Sequence, residues 1–362
     1  MKYRNLIILA IYLLLPGIVN AQKSNSETRN FIKSFAASRE VTLDLKNKYG
    51  NINISSWDRD SVTIRAEVKA FASGRDKLEK MFEGVSVNIS GSQLTIRAET
   101  EFSQSFSMII ESFKGMTGKM IPYDSRLEIN YYIQAPEYIN LRLENRYGDV
   151  FIENLTGSFT ASISNGAFKA GSLGKSTNLN LSFCDAIISK IASGSLESSL
   201  SEISIDETTD LTIESISSRL DFKKAGDLRI ESRRDKFYID ELNSLYGNSY
   251  FTDFRINDLS KEIRINSKYG NLDVNPIRRE FKSVDITSSY SDISISFEPG
   301  TSYNLEIRHL NTFLVLPEDD IKTERRVLNE EKKEYMIYGA KGKNPGSSVL
   351  KIDATRGNVY VK

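Results

Sequence analysis

The sequence predicts an all-β chain: a parallel β-solenoid, or β-helix, of short rungs preceded by a small N-terminal β region. Two apolar residues at n and n+2, with polar residues between, mark a strand with one buried face, and such pairs recur nine residues after another pair. A Tyr-Gly corner separates the pairs in "LDLKNKYGNINI" (43–54), "LRLENRYGDVFI" (141–152) and "IRINSKYGNLDV" (263–274). Helical periodicity is nearly absent from residues 141–316, where Ser, Thr, Asn and Ile are abundant.

The chain begins with a separate segment. Lys2 and Arg4 precede the apolar run "LIILAIYLLLPGIV", and "VNA" meets Gln22, which reads as a secretory signal peptide over residues 1–21. About 14 apolar residues interrupted by Pro16-Gly17 fall short of the roughly 20 that span a bilayer, so cleavage is expected to leave no transmembrane span. Residues 22–40 read as a polar lead-in without strand pattern.

Residues 41–140 form the N-terminal β region. It holds the first corner repeat and the alternating runs "SVTIRAEVKAF" and "VSVNISGSQLTIRAET", which read as an antiparallel strand pair flanking that repeat. The helical candidate "GRDKLEKMFEG" joins them, and "RLEINYYIQAP" (126–136) completes the region. Within it lies an apolar insertion at 102–122 that includes Phe106, Phe113 and Met116. Two readings stand for this insertion: a cover over the solenoid's open end, or a patch that contacts a partner or membrane, because Met- and Phe-rich surfaces adapt to varied apolar ligands.

The solenoid is assigned to residues 141–362. Double pairs with the nine-residue step begin at Leu43, Leu141, Leu211, Leu228, Ile263, Val284, Leu305 and Leu350, and weaker copies with a seven-residue step begin at Ala161, Leu179 and Leu196. A repeat near 20 residues cannot bury its own apolar pairs, so neighbouring rungs must close over them. Residues 317–348 depart from the rule as a charged hairpin insertion whose turn lies at 329–333; mixed charge there suits a solvated edge.

Counting the first apolar residue as position zero, position six holds Tyr49, Tyr147, Tyr269 and Tyr290, and position seven holds Gly50, Gly148, Gly270 and Gly357. Position eight is Asn or Asp. Glycine reaches positive φ without a Cβ penalty, and Asn or Asp bonds neighbouring backbone in turns, so these glycines are expected to bend the strand structurally. Tyr147, Tyr269 and Tyr290 are expected to stack between rungs as an exposed ladder, with a carbohydrate-contacting stripe as the functional alternative.

No constellation for catalysis appears. His309 is the single histidine and is expected at the surface; Cys184, the single cysteine, sits among apolar residues as a buried thiol. Asp149, Asp273, Asp292 and Glu153 are the acids that a polysaccharide-cleaving site would draw on, but position eight is Asn as often as Asp, which suits turn chemistry better. No cofactor, no metal site and no enzyme activity is expected. Lys+Arg and Asp+Glu both number 48, which argues against nucleic acid as the main partner.

The stretches "NKYGNINISSWDRDSVTIRAEV", "VSVNISGSQLTI" and "INLRLENRYGDVFIENLTGSFTASISNGAFKAGSL" resemble the putative-adhesin family of exported β-strand-repeat proteins, and the resemblance runs over roughly residues 38–362. It implies a signal peptide, a β-solenoid and surface binding, and it supplies no catalytic residues. The functional expectation is an exported, non-enzymatic scaffold of the cell envelope or surface, periplasmic or extracellular, whose partner is carbohydrate or another envelope protein. A periplasmic structural or signalling component stands second, and a carbohydrate-active enzyme third.

Overall fold

The computed structural model of the chain describes residues 25–104, 106, 125–174 and 176–362. The expected signal peptide, Phe113, Met116 and most of the apolar insertion lie outside the described residues. Strand dominates what is described, so the chain is all-β. The described residues divide into two compact units: 25–29, 69–86, 102–104, 106 and 125–127 form the smaller, and 30–68, 87–101, 128–174 and 176–362 the larger.

In the smaller unit the expected helix spans Arg75–Glu83 and buries Leu78, Met81 and Phe82, residues three and four apart on one face. The Arg29 guanidinium lies 4.0 Å from the Phe82 ring centroid. Phe106 is half-buried, stacks on Phe102 at 6.0 Å, and leaves no room for a Cβ at Gly84, which would meet its ring at 2.7 Å. The Phe106 ring is therefore part of this unit's own packing.

The larger unit is a stack of parallel layers in register. From Leu141 the position-zero residues follow as Phe159, Thr177, Gly194, Leu211, Leu228, Leu245, Ile263 and Val284, each beside the next at a step of 17 to 21 residues. Apart from Gly194 at position zero and Gly247 at position two, the layers from Leu141 to Val284 offer buried side chains at positions zero, two, nine and eleven; Leu211, Ile213, Leu220 and Phe222 are all at most 2% exposed. Each such side chain contributes about 1.5–3 kcal/mol when buried, and only the neighbouring layers can cover it. The sequence reading missed a third buried row, which includes Leu173, Ile191, Leu242, Leu259 and Ile277. The seven-residue copies are no separate class: Ala161/Ile163 and Leu179/Leu181 stand at positions two and four, Leu196 stands at position two with Ser198 at four, and positions nine and eleven stay in register.

Spatial order departs from chain order at both ends. The strands Thr42–Lys48 and Ile52–Ser56 lie directly against Asn140–Arg146 and Val150–Ile152, so Leu43 pairs with Leu141 across 98 residues. The boundary expected at 140/141 thus falls between two adjacent layers of one stack. Beyond them, Thr95–Phe102 runs beside Thr42–Lys48, and Ser125–Ala135 runs beside Ile52–Ser56; both pairings are parallel. At the other end Val349–Val361 inserts between Ser283–Phe297 and the strands Tyr303–Leu310 and Phe313–Val315. The expected hairpin forms from Ile321–Asn329 and Glu334–Lys341, and its second strand pairs antiparallel with Tyr303–Leu310. The polar lead-in is a correction too: Asn25–Ala36 is a strand, held by Ser34 Oγ to Thr63 Oγ1 (2.8 Å) and by Ala37 N–H to the Asp60 carbonyl. Nearly every side chain on it is exposed, so no alternation announced it.

The corner is built differently from the expectation. Tyr49, Tyr147, Tyr269 and Tyr290 themselves occupy the left-handed region, at φ 55–67°. So do Asn165, Phe183, Leu200, Ser217, Arg234 and Phe251, one at position six of every intervening layer. Their N–H groups still donate to the next layer, as from Tyr147 to the Ser164 carbonyl (3.0 Å) and from Leu200 to the Ile216 carbonyl (3.1 Å). The ladder thus reaches the corner residue itself, and it holds a conformation that costs an L-residue about 1–2 kcal/mol. Gly50, Gly148 and Gly270 serve close approach instead, because a Cβ on any of them would stand 2.0 Å from a carbonyl oxygen of the neighbouring layer. Gly357 alone of the four has positive φ, at 100°.

This division of labour has a measurable consequence. Gly148→Ala is expected to lower stability by more than about 2 kcal/mol, since the clash is with backbone that cannot rotate away. Leu200→Gly, which removes an exposed side chain from a left-handed residue, is expected to cost nothing or to stabilise by up to about 1 kcal/mol. Urea unfolding midpoints of the two variants test both.

Candidate functional site along the left-handed corner

From Asn165 onward position six points outward, and so does position five before it. The stack therefore carries a lengthwise row of exposed side chains: Phe183 is 58% exposed, Leu200 51%, Phe251 48% and Tyr290 44%, with Ile216 and Tyr250 beside them at position five. Neighbouring layers lie about 4.8 Å apart, a spacing at which aromatic rings at equivalent positions stack. Phe251 stacks on Tyr269 at 4.8 Å, and Tyr269 on Tyr290 at 5.2 Å. Tyr250 packs edge-on against Phe251 at 4.6 Å and Tyr269 at 5.5 Å. Below this side of the row runs an open groove of about 770 Å³, whose lining includes Glu214, Glu231, Arg233, Tyr250 and Lys268.

A second, buried row supports the corner from inside. At position seven stand Cys184, Ser201, Ser218, Asp235 and Thr252, all at most 5% exposed. Ser201 Oγ donates to the Ser199 carbonyl (2.9 Å), and Ser218 Oγ to the Ile216 carbonyl (3.2 Å); each spans the left-handed residue between. The same oxygens accept from the layer before, from Cys184 N–H to Ser201 Oγ (3.1 Å) and from Ser201 N–H to Ser218 Oγ (3.3 Å). Cys184 fills this slot as an isologue of serine, its thiol donating to the Ile163 and Ser182 carbonyls, and burial pushes its pKa up. Position eight acts between layers as well. Asp149 Oδ1 accepts from Ala167 N–H (2.8 Å), and Asp292 Oδ1 from Asn358 N–H (3.0 Å), so Asn and Asp here connect layers rather than close their own turn.

Asp235 is the one acid in the buried row among the described residues. Its carboxylate accepts from Ser218 N–H (2.7 Å), Ser232 Oγ (2.6 Å) and Arg233 N–H (3.0 Å), yet burial is the larger influence and raises its pKa. The folded protein therefore holds this proton more tightly than the unfolded chain does. The resulting stability is present below the ordinary aspartate pKa and is lost as pH rises through the raised value. Asp235→Ser, which installs the residue of the two preceding layers, is expected to flatten that segment of the stability–pH curve. Urea midpoints measured from acid to neutral pH check it.

The three expected tyrosines do not share one site. Tyr147 is half-buried and stacks at 5.6 Å on the buried Tyr49. Seven layers, or about 34 Å, separate it from Tyr269. Tyr269 and Tyr290 belong together, and the structure adds Tyr250 and Phe251, which the sequence reading passed over because their layer has threonine where the corner glycine was sought. The "YF" doublet before Thr252 was the available signal. Among the residues weighed for catalysis, His309 is buried, not at the surface; its Nδ1 has no hydrogen-bond partner among the described residues, and burial first, then the Arg325 charge, lowers its pKa. It packs at 5.2 Å against Tyr335. Glu153 accepts from Ser56 N–H (2.8 Å). Among the described residues no group of three or more His, Cys, Asp and Glu side chains is placed to hold a metal, and no helix is long and apolar enough to cross a membrane.

No family model and no curated protein matches the chain. Solved structures do resemble it. A putative cell adhesion protein from Clostridium sporogenes ATCC 15579 is 10% identical over 93% of this chain and 99% of that one, with a TM-score of 0.18. A putative adhesin from Parabacteroides distasonis ATCC 8503 is 12% identical over 75% and 94% of the two chains, at 0.29. One from Bacteroides fragilis NCTC 9343 is 11% identical over 92% and 97%, at 0.27.

Proposed function

We propose that this chain is an exported, non-enzymatic β-solenoid that serves as an adhesin-like binding scaffold of the cell envelope or surface, and that it takes carbohydrate along its left-handed corner. The observation that carries this reading is the contiguous set of outward rings formed by Tyr250, Phe251, Tyr269 and Tyr290, in contact across three layers. Soluble proteins rarely leave large apolar rings adjacent and exposed without a partner. A row of aromatic faces with polar neighbours suits the apolar faces and hydroxyl edges of sugar rings. Beneath the rings Thr252 Oγ1 donates to the Tyr250 carbonyl (3.4 Å) and Ser291 Oγ to the Ser289 carbonyl (3.2 Å), bracing two of the three corners from inside, so the surface is organised before a ligand arrives.

A glycan array probed with residues 22–362 tests the reading. Saturable binding to at least one glycan class is expected, and Phe251→Ala with Tyr269→Ala and Tyr290→Ala should weaken it at least about tenfold, each ring contributing about 0.5–1.5 kcal/mol. Unchanged circular dichroism would show that the triple variant folds. Absence of any glycan binding, with capture of a single envelope protein instead, would overturn the carbohydrate assignment; turnover of a polysaccharide would overturn the non-enzymatic one.

A further inference from the structure

We propose that the ligand of this surface is an acidic polysaccharide, gripped at the end of the corner row that runs from the Arg233 layer to the Arg356 layer. The inference rests on the carbohydrate reading above and adds the charge of the ligand. Three cations frame the rings. Arg356 sits 5.0 Å from the Tyr290 centroid and donates to its hydroxyl oxygen. Lys268 lies 5.3 Å from the Tyr269 centroid and 5.9 Å from that of Tyr250, and Arg233 lies 6.0 Å from Tyr250. All three side chains are exposed, and none forms an ion pair among the described residues.

The rest of the row looks different. The corners of Phe183 and Leu200 are flanked by Ser182 and Ser199 rather than by cations, and that end of the groove carries the acids Glu197 and Glu214; Arg233, in register beside Ile216, begins the cationic end. Cations are thus concentrated where the aromatic rings are. Four layer steps separate the corner of Arg234 from that of Arg356, a length of about 19 Å. A chain of sugars laid along it meets stacking faces and positive charges in alternation. The acids nearest the patch are engaged elsewhere: Glu231 accepts from Asn248 Nδ2, Asp253 from Asn271 and Asp292 from Asn358. The chain as a whole has no net positive charge, unlike a typical nucleic-acid binder.

Binding of residues 22–362 to polygalacturonate, dextran sulfate, neutral dextran and oligo(dT), followed by calorimetry at low and high salt, tests the inference. The two acidic polymers are expected to bind at least tenfold more tightly than dextran, and to weaken as salt rises, because exposed charges are screened. Lys268→Glu with Arg356→Glu should cost at least tenfold on the acidic polymers and little on any neutral glycan, whereas Lys268→Arg with Arg356→Lys should retain binding. Equal affinity for neutral and acidic polymers, with the aromatic variants still impaired, would overturn the charge assignment and leave the carbohydrate reading standing. Binding to none of the sugars would overturn both, and tighter binding to oligo(dT) would replace the inference with a nucleic-acid site.

Discussion

Everything in the larger unit depends on one constraint: a layer of 17 to 21 residues cannot bury its own apolar side chains, so each layer is stable only when the next lies on it in register. Two interactions enforce that register together. Apolar residues at positions zero, two, nine and eleven stack on their counterparts, and the backbone of each layer donates to the carbonyls of its neighbour. A slip of one residue would turn the buried set outward and leave the interior lined with Asp, Glu, Lys and Arg.

The corner is where this constraint meets function. A straight strand could not return on itself, and a glycine bend would return it with nothing on the outside. Placing a residue with a side chain in the left-handed region does both, since the bend is made and the side chain is projected outward. The cost of that conformation is met by the hydrogen bonds that reach the corner residue and, in the middle layers, by the buried Ser, Cys, Asp and Thr row. Scaffold and surface are in this sense one device.

The sequence made much of this legible. The double apolar pairs place the strands, and the Tyr-Gly-Asn/Asp words mark the layers of Tyr49, Tyr147 and Tyr269. What stayed hidden has physical reasons. The middle corners use Phe183, Leu200, Ser217 and Arg234, because the neighbouring layers impose the left-handed geometry whatever side chain stands there; local propensity carries no trace of it. The glycines were visible, but their reason was not, since close approach to a carbonyl in another layer is a tertiary fact. Layer order was equally hidden. Nothing within Val349–Val361 says that it inserts beside Ser283–Phe297, ahead of the strands that precede it in the chain. Of the expected ladder of Tyr147, Tyr269 and Tyr290, only the last two stack on each other, and the ring cluster that Tyr250 and Phe251 complete needed the register to be seen.

The register of the stack is the claim most directly open to measurement. Glu214 and Glu231 stand side by side in adjacent layers, with both side chains exposed. Cysteines at these two positions, in a chain whose Cys184 is replaced by serine, should form an intramolecular disulfide under mild oxidation, because neighbouring strands about 4.8 Å apart fall within disulfide range. Moving the second cysteine by one residue, from Glu231 to Ser232, should abolish the bond, since that side chain turns inward. Efficient closure of the displaced pair, with failure of the matched one, would contradict the layered account.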